Sequence, residues 1–457
     1  MKSELFSPNI QVFQPQRLTP LLNDEIRAFI YTTPEKLTAY VKKYGSPLNL
    51  IWPENLHNNL TALRTALKQL HRHLIFYAVK VNKSQALLES AAKSGIGADV
   101  SSLYEMRAAR KSGIPYSKIC ASGPSKTSIF LTDLITHDAC ISIDLTEEFE
   151  EIKALIAHIQ PAHQVRVLLR YRPSFLPISR FGMKSEDLSL CLDKLASLKK
   201  QCHFLGFHFH LSGYDFKTRI EAIRELHPMI TRAQSLGIKA QIMNIGGGLP
   251  VQYVDQHKYQ AYLKEHSPAD YDHKKPPLSF YPYGGELNGA QWLSRLLIHS
   301  YKADFSLADY FNQQKLTLAL EPGRSLVDQC AITVFRVTRV TRVKLLSRDR
   351  WVIFVEGSSF SACETWFSSE FLVDPVLIAE QAGPHRTCLS CQAFIAGHSC
   401  LDEDIISHRF IHFPMLPQAG DFLVYSNTAG YQMDLLENRF HRHPVPQHIS
   451  LFKDQQA

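Results

Sequence analysis

The stretch Leu74–Asn82, which reads Leu-Ile-Phe-Tyr-Ala-Val-Lys-Val-Asn, anchors the prediction of the fold. Its apolar run is short and rich in strand-forming residues, which is typical of a fully buried strand in a parallel sheet. Lys80 stands at the carboxyl end of that strand, where α/β barrels collect their catalytic groups. Burial there would make its amine easier to deprotonate, as a covalent lysine requires. The alternative is a strand-end lysine whose side chain extends to water.

From Lys80 onward, short apolar strands alternate with helices of roughly ten to twenty residues. The predicted strands are Ile75–Val79, Gly97–Val100, Lys118–Ala121, Ala139–Asp144, Val165–Tyr171, Phe204–His210, Gln241–Ile245 and Leu316–Leu320. The helices predicted between the first seven strands are Ser84–Ser94, Leu103–Ser112, Thr127–Thr136, Glu147–His158, Ser185–Lys199 and Lys217–Ser235. This alternation predicts an α/β fold with a closed (β/α)₈ barrel rather than an open doubly wound sheet.

The remaining segments predict a second domain. We expect the barrel to occupy residues 46–325, with an insertion at 250–315 that covers its mouth. Beyond Gly323, alternating Thr, Val and Ile without long helices predict a β-domain over residues 326–457. We expect the N-terminal segment, residues 1–45, to complete that β-domain.

The composition is that of an ordinary globular protein. Of the 457 residues, 45% are hydrophobic and 20% are charged, and the length is sufficient for two domains. The net charge of +7 is mild and its basic residues are scattered, so we expect no nucleic-acid partner. No run of about 18 apolar residues and no secretory signal occur, so we expect no membrane partner.

The cysteines indicate a reducing compartment. Nine cysteines without framework spacing predict reduced thiols and a cytoplasmic location. Cys388 and Cys391 form one Cys-x-x-Cys pair, but a zinc site normally needs a second pair nearby. We therefore predict no metal site.

Polar side chains and glycines collect where the predicted strands end, at the face that carries the chemistry of a barrel enzyme. They are Lys80 and Asp99 after strands one and two, Arg170 in strand five, His210 after strand six, Gly246, Gly247 and Gly248 after strand seven, and Glu321 and Arg324 after strand eight.

These groups together predict a cofactor. The triple glycine lets the main chain turn N–H groups toward a phosphate, to which Arg324 could add a bidentate contact. Glu321 could hold a proton on a pyridine nitrogen, and His210 could stack on a flat ring. Each feature alone has a plainer explanation, namely a loop, an ion pair or a structural histidine. With a lysine that can form a Schiff base, the combination matches pyridoxal 5'-phosphate.

The same residues carry a resemblance to a known family. The chain resembles the fold-type III pyridoxal-phosphate decarboxylases, which are alanine-racemase-like and include diaminopimelate and ornithine decarboxylases. The motifs that carry the resemblance occur in family order over about residues 45–445. They are Tyr77–Asn82, Gly97–Ser102, Gly123–Lys126, Ser179–Met183, Gly206–His210, Ile245–Leu249, Glu321–Arg324, Cys400–Asp404 and Ala429–Tyr431.

The resemblance implies a role for each matched residue. Lys80 corresponds to the Schiff-base lysine, and Asp99 and Arg170 correspond to its polar neighbours. His210 corresponds to the ring-stacking histidine and Glu321 to the partner of the pyridine nitrogen. The implied phosphate ligands are Gly246, Gly247, Gly248, Arg324 and Tyr431, the last of which closes over the phosphate. Cys400 corresponds to a general acid that enters from the second subunit, so a homodimer with shared active sites is implied.

Four departures from the family pattern predict an altered small-molecule substrate. The stretch Glu356–Phe367 lacks the arginine that the resemblance implies for the distal carboxylate of diaminopimelate. Leu401 stands after the cysteine, where diaminopimelate and ornithine enzymes carry a carboxylate. Asn244 replaces an aspartate that is common before the triple glycine. The serine after His210 is displaced by one residue. We expect Leu401, Asp402 and Glu364 to contact the far end of the substrate.

Decarboxylation of an amino acid or an amino-acid derivative is the leading interpretation. An amino-acid racemase of the same fold is an alternative, because Cys400 could serve as one of the two bases that a racemase needs. A non-catalytic cofactor-binding protein is a third reading. The predicted β-domain with Cys400 argues against it, since such proteins are typically a lone barrel.

Overall fold

The computed structural model describes residues 10–176, 178–272, 276–345, 348–359, 369–380, 389–434 and 440–452. The strands are β1 Gln11–Phe13, β2 Leu48–Ile51, β3 His73–Ala78, β4 Gly97–Val100, β5 Ile119–Ala121, β6 Cys140–Ile143, β7 Val165–Arg170, β8 Cys202–His208, β9 Ile242–Asn244, β10 Ser300–Lys302, β11 Phe305–Ser306, β12 Thr317–Leu320, β13 Ala331–Leu345, β14 Arg348–Val355, β15 Val376–Ala379, β16 Cys391–Ala396, β17 Ile405–Phe413, β18 Phe422–Ser426 and β19 Gln447–Ser450.

The α-helices are α1 Asp24–Tyr31, α2 Pro34–Tyr44, α3 Glu54–Ala66, α4 Gln85–Lys93, α5 Leu103–Lys111, α6 Ser128–Thr136, α7 Thr146–Ile159, α8 Ser185–Ser197, α9 Phe216–Ser235, α10 Gln256–Glu265, α11 Gly289–Ile298 and α12 Leu307–Gln314. The chain divides into two compact units. One, the barrel unit, consists of Leu56–Leu249 and Asn288–Leu326. The other, the sheet unit, consists of Met1–Asn55, Pro250–Leu287 and Val327–Ala457.

The barrel unit is a closed barrel of eight parallel strands in the order β12-β3-β4-β5-β6-β7-β8-β9. These are the eight strands that the sequence predicts, so the (β/α)₈ prediction is confirmed. The predicted helices also form, as α4 to α9, with ends within about two residues of the expected ones. Parallel pairing places the carboxyl ends of all eight strands at one face, where the candidate side chains lie.

The register aligns side chains from neighbouring strands. Ala78 of β3 pairs with Asp99 of β4, which pairs with Cys120 of β5. At Gly206 of β8, an added Cβ would stand 2.0 Å from the carbonyl oxygen of Ile242 in β9. Only glycine permits this close approach of β8 to β9, and Gly206 also has a φ of +141°.

The sheet unit is built on the long strand β13. The strand order is β1-β15-β18-β13-β14-β16-β17, and β2 pairs with both β13 and β19. Helices α1 and α2 cover one face, where Phe29 and Val41 pack with Leu50 and Ile332. A second cluster packs Tyr253 and Tyr283 of the 250–287 segment against Phe335 of β13. The predicted β-domain, completed by the N-terminal segment, is therefore present.

The unit boundaries differ from the predicted domain boundaries at two places. Strand β2 was expected to begin the barrel, but it pairs with β13 through Leu48–Val334 and Ile51–Ala331. Every residue of β2 is buried. The sequence of this four-residue strand therefore does not distinguish a strand of the barrel from a strand of the other sheet. The expected insertion 250–315 is also divided, because Pro250–Leu287 groups with the sheet unit and the remainder with the barrel unit.

No helix among the described residues is both long and apolar enough to cross a membrane. No group of three or more metal-ligating side chains is arranged to hold a metal ion in the same part of the chain.

Candidate active site

A cavity of about 760 Å³ opens in the barrel unit beside the carboxyl ends of the strands, and this volume is typical of a small-molecule site. Four predicted site residues line it, namely Lys80, Arg170, His210 and Glu321. Asp99 is fully buried next to Lys80. Gly246, Gly247, Gly248 and Arg324 are not among the described residues that line this cavity.

Lys80 stands over a buried carboxylate. Strand β3 ends at Ala78, and Val79–Val81 form one 3₁₀ turn that carries Lys80 to the mouth. The Lys80 Nζ atom lies 3.6 Å from Asp99 Oδ2, and the lysine side chain is 40% exposed. The expected burial of Lys80 is therefore wrong, because the turn places its amine beyond the end of the strand.

Asp99 lies in a tightly bonded environment. Ser122 Oγ donates to Asp99 Oδ1 at 2.6 Å. Burial and the charge of Glu321 raise the pKa of Asp99, while Lys80 and Ser122 act in the opposite direction. The positive charge of Lys80 thus opposes the effect of burial on the pKa of Asp99 without overcoming it.

Glu321, directly after β12, is fully buried and held ionised. Burial alone would raise the pKa of Glu321, but the nearby charges of His208 and Lys80 bring it below its ordinary value. His208 Nε2 lies 3.6 Å from Glu321 Oε1, and Asn244 Nδ2 donates to the same oxygen at 2.7 Å. The other ring nitrogen of His208 lies 2.7 Å from Ser142 Oγ.

Asn244 explains one departure from the family pattern. Its Oδ1 atom accepts the N–H of Gly246 at 2.9 Å while its Nδ2 atom donates to Glu321. An aspartate in the same place would lack the donor and would set a second negative charge beside Glu321. The amide therefore suits a site in which the glutamate is the buried anion.

The triple glycine supports His210. The N–H of Gly247 donates to His210 Nδ1 at 3.2 Å, so a neutral ring carries its proton on Nε2. An added Cβ on Gly246 would stand 2.7 Å from the same nitrogen, and one on Gly247 would stand 2.5 Å from the carbonyl oxygen of Glu321. Burial, and then the charge of Lys80, lower the pKa of His210 to about 3. The imidazole is therefore a neutral, fixed, flat surface.

Arg170 anchors the loop between β7 and α8. Its Nη1 atom donates to Asp144 Oδ2 at 2.6 Å, and the N–H of Gly182 donates to Asp144 Oδ1 at 2.5 Å. Its guanidinium lies 4.7 Å from the centroid of the Phe181 ring. Arg324 lies three residues beyond Glu321 and is half-buried.

The other predicted residues belong to the sheet unit. Cys400 is exposed in the loop after β16, and its N–H donates to His441 Nε2 at 3.2 Å. Leu401 is 38% exposed and Asp402 is exposed in the adjoining turn. Tyr431 is partly buried in a turn and has a left-handed φ of +78°. Glu364 lies outside the described residues.

Four polar partners of the site were given no role from the sequence, namely Ser122, Ser142, His208 and Asn244. His208 ends β8 and His210 follows two residues later, so both side chains were visible as a His-x-His pattern. Alternation along a strand places i and i+2 on the same face, which is the signal that could have assigned His208 to the site. Nothing local to Ser122 or Ser142 indicates that these particular serines reach buried partners.

The fold and this site define a barrel enzyme of the kind that binds pyridoxal phosphate, and known proteins agree. The family described as "Pyridoxal-dependent decarboxylase, pyridoxal binding domain" matches residues 57–273. The protein y4yA of Sinorhizobium fredii, described as uncharacterized, is 48% identical over 96% of this chain and 94% of its own length. A probable chloroplastic diaminopimelate decarboxylase of Oryza sativa is 28% identical over 68% of this chain and 58% of its own.

A solved structure supports the same fold. Diaminopimelate decarboxylase from M. jannaschii, in complex with L-lysine, matches with a TM-score of 0.70 at 19% identity, over 91% of this chain and 89% of that one. The chain belongs to the fold-type III pyridoxal-phosphate-dependent decarboxylases and is a carboxy-lyase of that family. The family and the cofactor predicted from the sequence are thereby confirmed.

The site residues fit the cofactor on three observations. The buried Glu321 has a lowered pKa and can face a protonated pyridine nitrogen. His210 is neutral and flat, as ring stacking requires. The three glycines leave the main chain bare where any side chain would collide with neighbouring backbone or His210. Together with Lys80, which lines the same cavity as Glu321 and His210, these residues have the donor set that pyridoxal phosphate needs.

Proposed function

We propose that this enzyme decarboxylates an amino acid or an amino-acid derivative, with Lys80 as the residue that binds the cofactor covalently. The observation that carries the proposal is the convergence of Lys80, Glu321 and His210 on one cavity. Asp99, 3.6 Å from the Lys80 amine, supports the role by orienting that amine. A strand-end lysine that merely extends to water would have no need of this buried carboxylate.

Pyridoxal phosphate, when bound, supplies a sink for the electron pair that the departing carboxyl group leaves behind. Glu321 would hold a proton on the pyridine nitrogen, because it stays ionised beside His208. His210 would stack on the ring. For the phosphate we propose Gly246, Gly247, Gly248, Arg324 and Tyr431, and we propose that Arg170 positions the site through Asp144.

We also propose that the enzyme is a homodimer whose active sites are shared. In this scheme Cys400 of one subunit acts as the general acid at the site of the other and returns a proton to Cα. Its exposure and its position in a loop after β16 support this role. Leu401, Asp402 and Glu364 would contact the far end of a small amino-acid substrate. The described cysteines are all unpaired, which suits a reducing compartment such as the cytoplasm.

The test of the reaction is a screen for CO₂ release. Purified holoenzyme would be incubated with L- and D-amino acids, diamino acids and their carboxylated conjugates, and optical rotation would be followed in parallel. We expect CO₂ release without accumulation of the opposite enantiomer. Racemisation without CO₂ would favour the racemase, and neither change with any compound would reject the proposed reaction.

Shared active sites can be tested by mixing inactive subunits. The variants Lys80→Ala and Cys400→Ala should each be inactive alone. Mixed dimers should regain about a quarter of the wild-type activity if one site is built from a wild-type lysine and a wild-type cysteine of different chains. No recovery in demonstrably mixed dimers would argue against a cysteine supplied in trans.

A further inference from the structure

Two arginines of the loop between β7 and α8 line the cavity and have no carboxylate partner in the part of the chain that the structure describes. Arg172 is half-buried, and its Nη1 atom donates to the carbonyl oxygen of Ser179 at 2.8 Å. Arg180 is exposed, and its guanidinium lies 4.7 Å from the centroid of the Phe181 ring. Both residues belong to the cavity lining. Their own contacts position the guanidinium groups but do not neutralise them.

The carboxylates near this loop have other partners. Asp144 accepts from Arg170 and from the N–H of Gly182. Glu225 of α9 accepts from Tyr171 Oη at 2.6 Å and from the N–H of Ser174 at 3.0 Å. Within the described ranges, no Asp or Glu forms an ion pair with Arg172 or Arg180.

The charge of the cavity follows from these pairings. Lys80, Arg170, Arg172 and Arg180 are the described lysines and arginines of the lining, and Glu321 is the one carboxylate among the described lining residues. Lys80 is opposite Asp99, Arg170 is opposite Asp144, and Glu321 is opposite His208. His210, with its pKa near 3, adds no positive charge at neutral pH. The guanidinium groups of Arg172 and Arg180 therefore remain without a carboxylate opposite them among the described residues.

The loop that carries these arginines is held at both ends. Two main-chain hydrogen bonds join the start of the loop to its end. The N–H of Arg172 donates to the carbonyl oxygen of Met183 at 2.8 Å, and the N–H of Met183 donates to the carbonyl oxygen of Arg170 at 2.8 Å. Gly182 has a φ of +76°, and an added Cβ there would stand 2.9 Å from Tyr171. The arginines are thus presented from a fixed base, which lowers the entropic cost of binding an anion.

We infer that the substrate carries a carboxylate at the end remote from the reacting amino group, and that Arg172 binds this carboxylate with Arg180 adding a second positive charge. The inference rests on the proposed function, since it assigns the substrate of that same site. Guanidinium groups suit carboxylates because their N–H donors match both oxygens. A substrate with a distal ammonium, as in ornithine, would meet two uncompensated like charges. Leu401 offers no counter-charge to such an ammonium, and in this assignment the distal carboxylate meets Arg172 and Arg180 rather than the proposed contacts Asp402 and Glu364.

Amine binding to the holoenzyme tests this substrate class without requiring turnover. Primary amines that differ only at the distal end, ω-amino acids and α,ω-diamines of matched chain length, would be titrated while the absorption band of the lysine-bound cofactor is followed. We expect the ω-amino acids to bind at least about tenfold more tightly, a preference that weakens with added salt. Diamines that bind as tightly as the amino acids would overturn the inference.

Matched variants assign the preference to the loop. Arg172→Gln should lower the preference by about tenfold, and Arg172→Lys, which keeps the charge, should retain part of it. The control is Arg232→Gln, a partly exposed arginine of α9 that pairs with Asp193 at 2.8 Å and should leave the preference unchanged. An unaltered preference in the double variant Arg172→Gln, Arg180→Gln would also overturn the inference. The CO₂ screen judges the proposed reaction separately, because the amine titration involves no carboxyl loss.

Discussion

The two ends of the barrel both present positive side chains around an opening, but they use them differently. At the end opposite the candidate site, a cavity of about 240 Å³ is lined by apolar groups and by Arg64, Lys118 and Arg166. There, Arg64 donates to the carbonyl oxygen of Ser94 at 2.8 Å, and Lys118 donates to that of Gly95 at 2.8 Å. Arg166 pairs with Asp138 at 2.9 Å.

The partners of these cations differ between the two ends of the barrel, and we interpret the cations of the opposite end as structural. Ser94 and Gly95 follow α4 directly, so the lysine and arginine satisfy carbonyls at a helix carboxyl end, where positive charge is stabilising. At the mouth, Arg172 donates to the carbonyl oxygen of Ser179 within its own loop rather than at a helix carboxyl end, and neither Arg172 nor Arg180 pairs with a carboxylate among the described residues. Positive charge therefore stabilises the chain at one end of the barrel, and at the other end it forms the anion site that we propose.

The largest expected effect concerns Lys80. Replacing Lys80 with alanine should abolish the covalent attachment of the cofactor and reduce turnover by roughly 10³-fold or more, since no other described amine lines the cavity. The matched control is Lys118→Ala at the opposite end, which should keep both. Absorption and borohydride trapping would be measured beside CO₂ release. A Lys80→Ala protein with the same trapped adduct would contradict the assignment.

Glu321→Gln should give the next largest effect. The amide keeps an oxygen for Asn244 Nδ2 but loses the negative charge beside the pyridine nitrogen, so turnover should fall by roughly 10²- to 10³-fold. Cofactor content should stay near normal, because the phosphate ligands are untouched. Turnover and cofactor content would be measured on the same preparation. Near-normal turnover in this variant would remove the role of Glu321.

The pH dependence of stability should differ between His210 at the mouth and His73 at the opposite end. Burial and Lys80 lower the pKa of His210 to about 3, whereas burial and Arg64 lower that of His73 by a smaller amount. A histidine with a lowered folded pKa binds fewer protons than in the unfolded chain, so stability falls as pH drops below about 6.5. For His210 this loss continues down to pH near 3.

When the pH is lowered from 7.5 to 5.0, the lowered pKa of His210 should therefore reduce the unfolding free energy of the cofactor-free protein by about 2 kcal/mol. The unfolding free energy of His210→Asn should therefore fall by about 2 kcal/mol less than that of wild type between these two pH values. The drop in His73→Asn should be closer to that of wild type. Urea unfolding at the two pH values would provide the free energies. Equal losses in wild type and His210→Asn would show that the ring is protonated without penalty.

The smallest effect is expected from Arg166→Gln at the structural end. Loss of its bonds to Asp138 and to the carbonyl oxygen of Ser117 should cost about 1 kcal/mol of stability. Turnover should stay within about twofold of wild type, because no described residue of the mouth contacts this side chain. Denaturation and CO₂ release would be measured together. A large loss of turnover at unchanged stability would break the distinction between the two ends.

Much of the barrel was predictable because its signals are local. Buried strands and amphipathic helices alternate regularly, and the eight strands were found with their order. Lys80, Glu321 and His210 were predictable for the same reason, since each follows a strand and parallel strands end at one face. The motif resemblance then supplied roles that residue types alone left open.

The remainder depended on contacts between distant residues. The membership of β2 in the sheet unit is set by pairing with β13, which no four-residue pattern encodes. The exposure of Lys80 follows from a single 3₁₀ turn. The partners of Asp99 and Glu321 come from four other strands or the turns that follow them. Long-range hydrogen bonds of this kind leave no periodicity in the sequence.

Strand β2 also has a consequence for how the chain folds. Its partner β13 is synthesised only after the whole barrel segment, so β2 must wait through that interval with its apolar residues unpaired in the sheet. The barrel strands β3 to β9 follow one another without such a gap and can pair as they emerge. We therefore expect the sheet unit to be the slower and more aggregation-prone half of the molecule during synthesis, since its closure joins the beginning of the chain to its end.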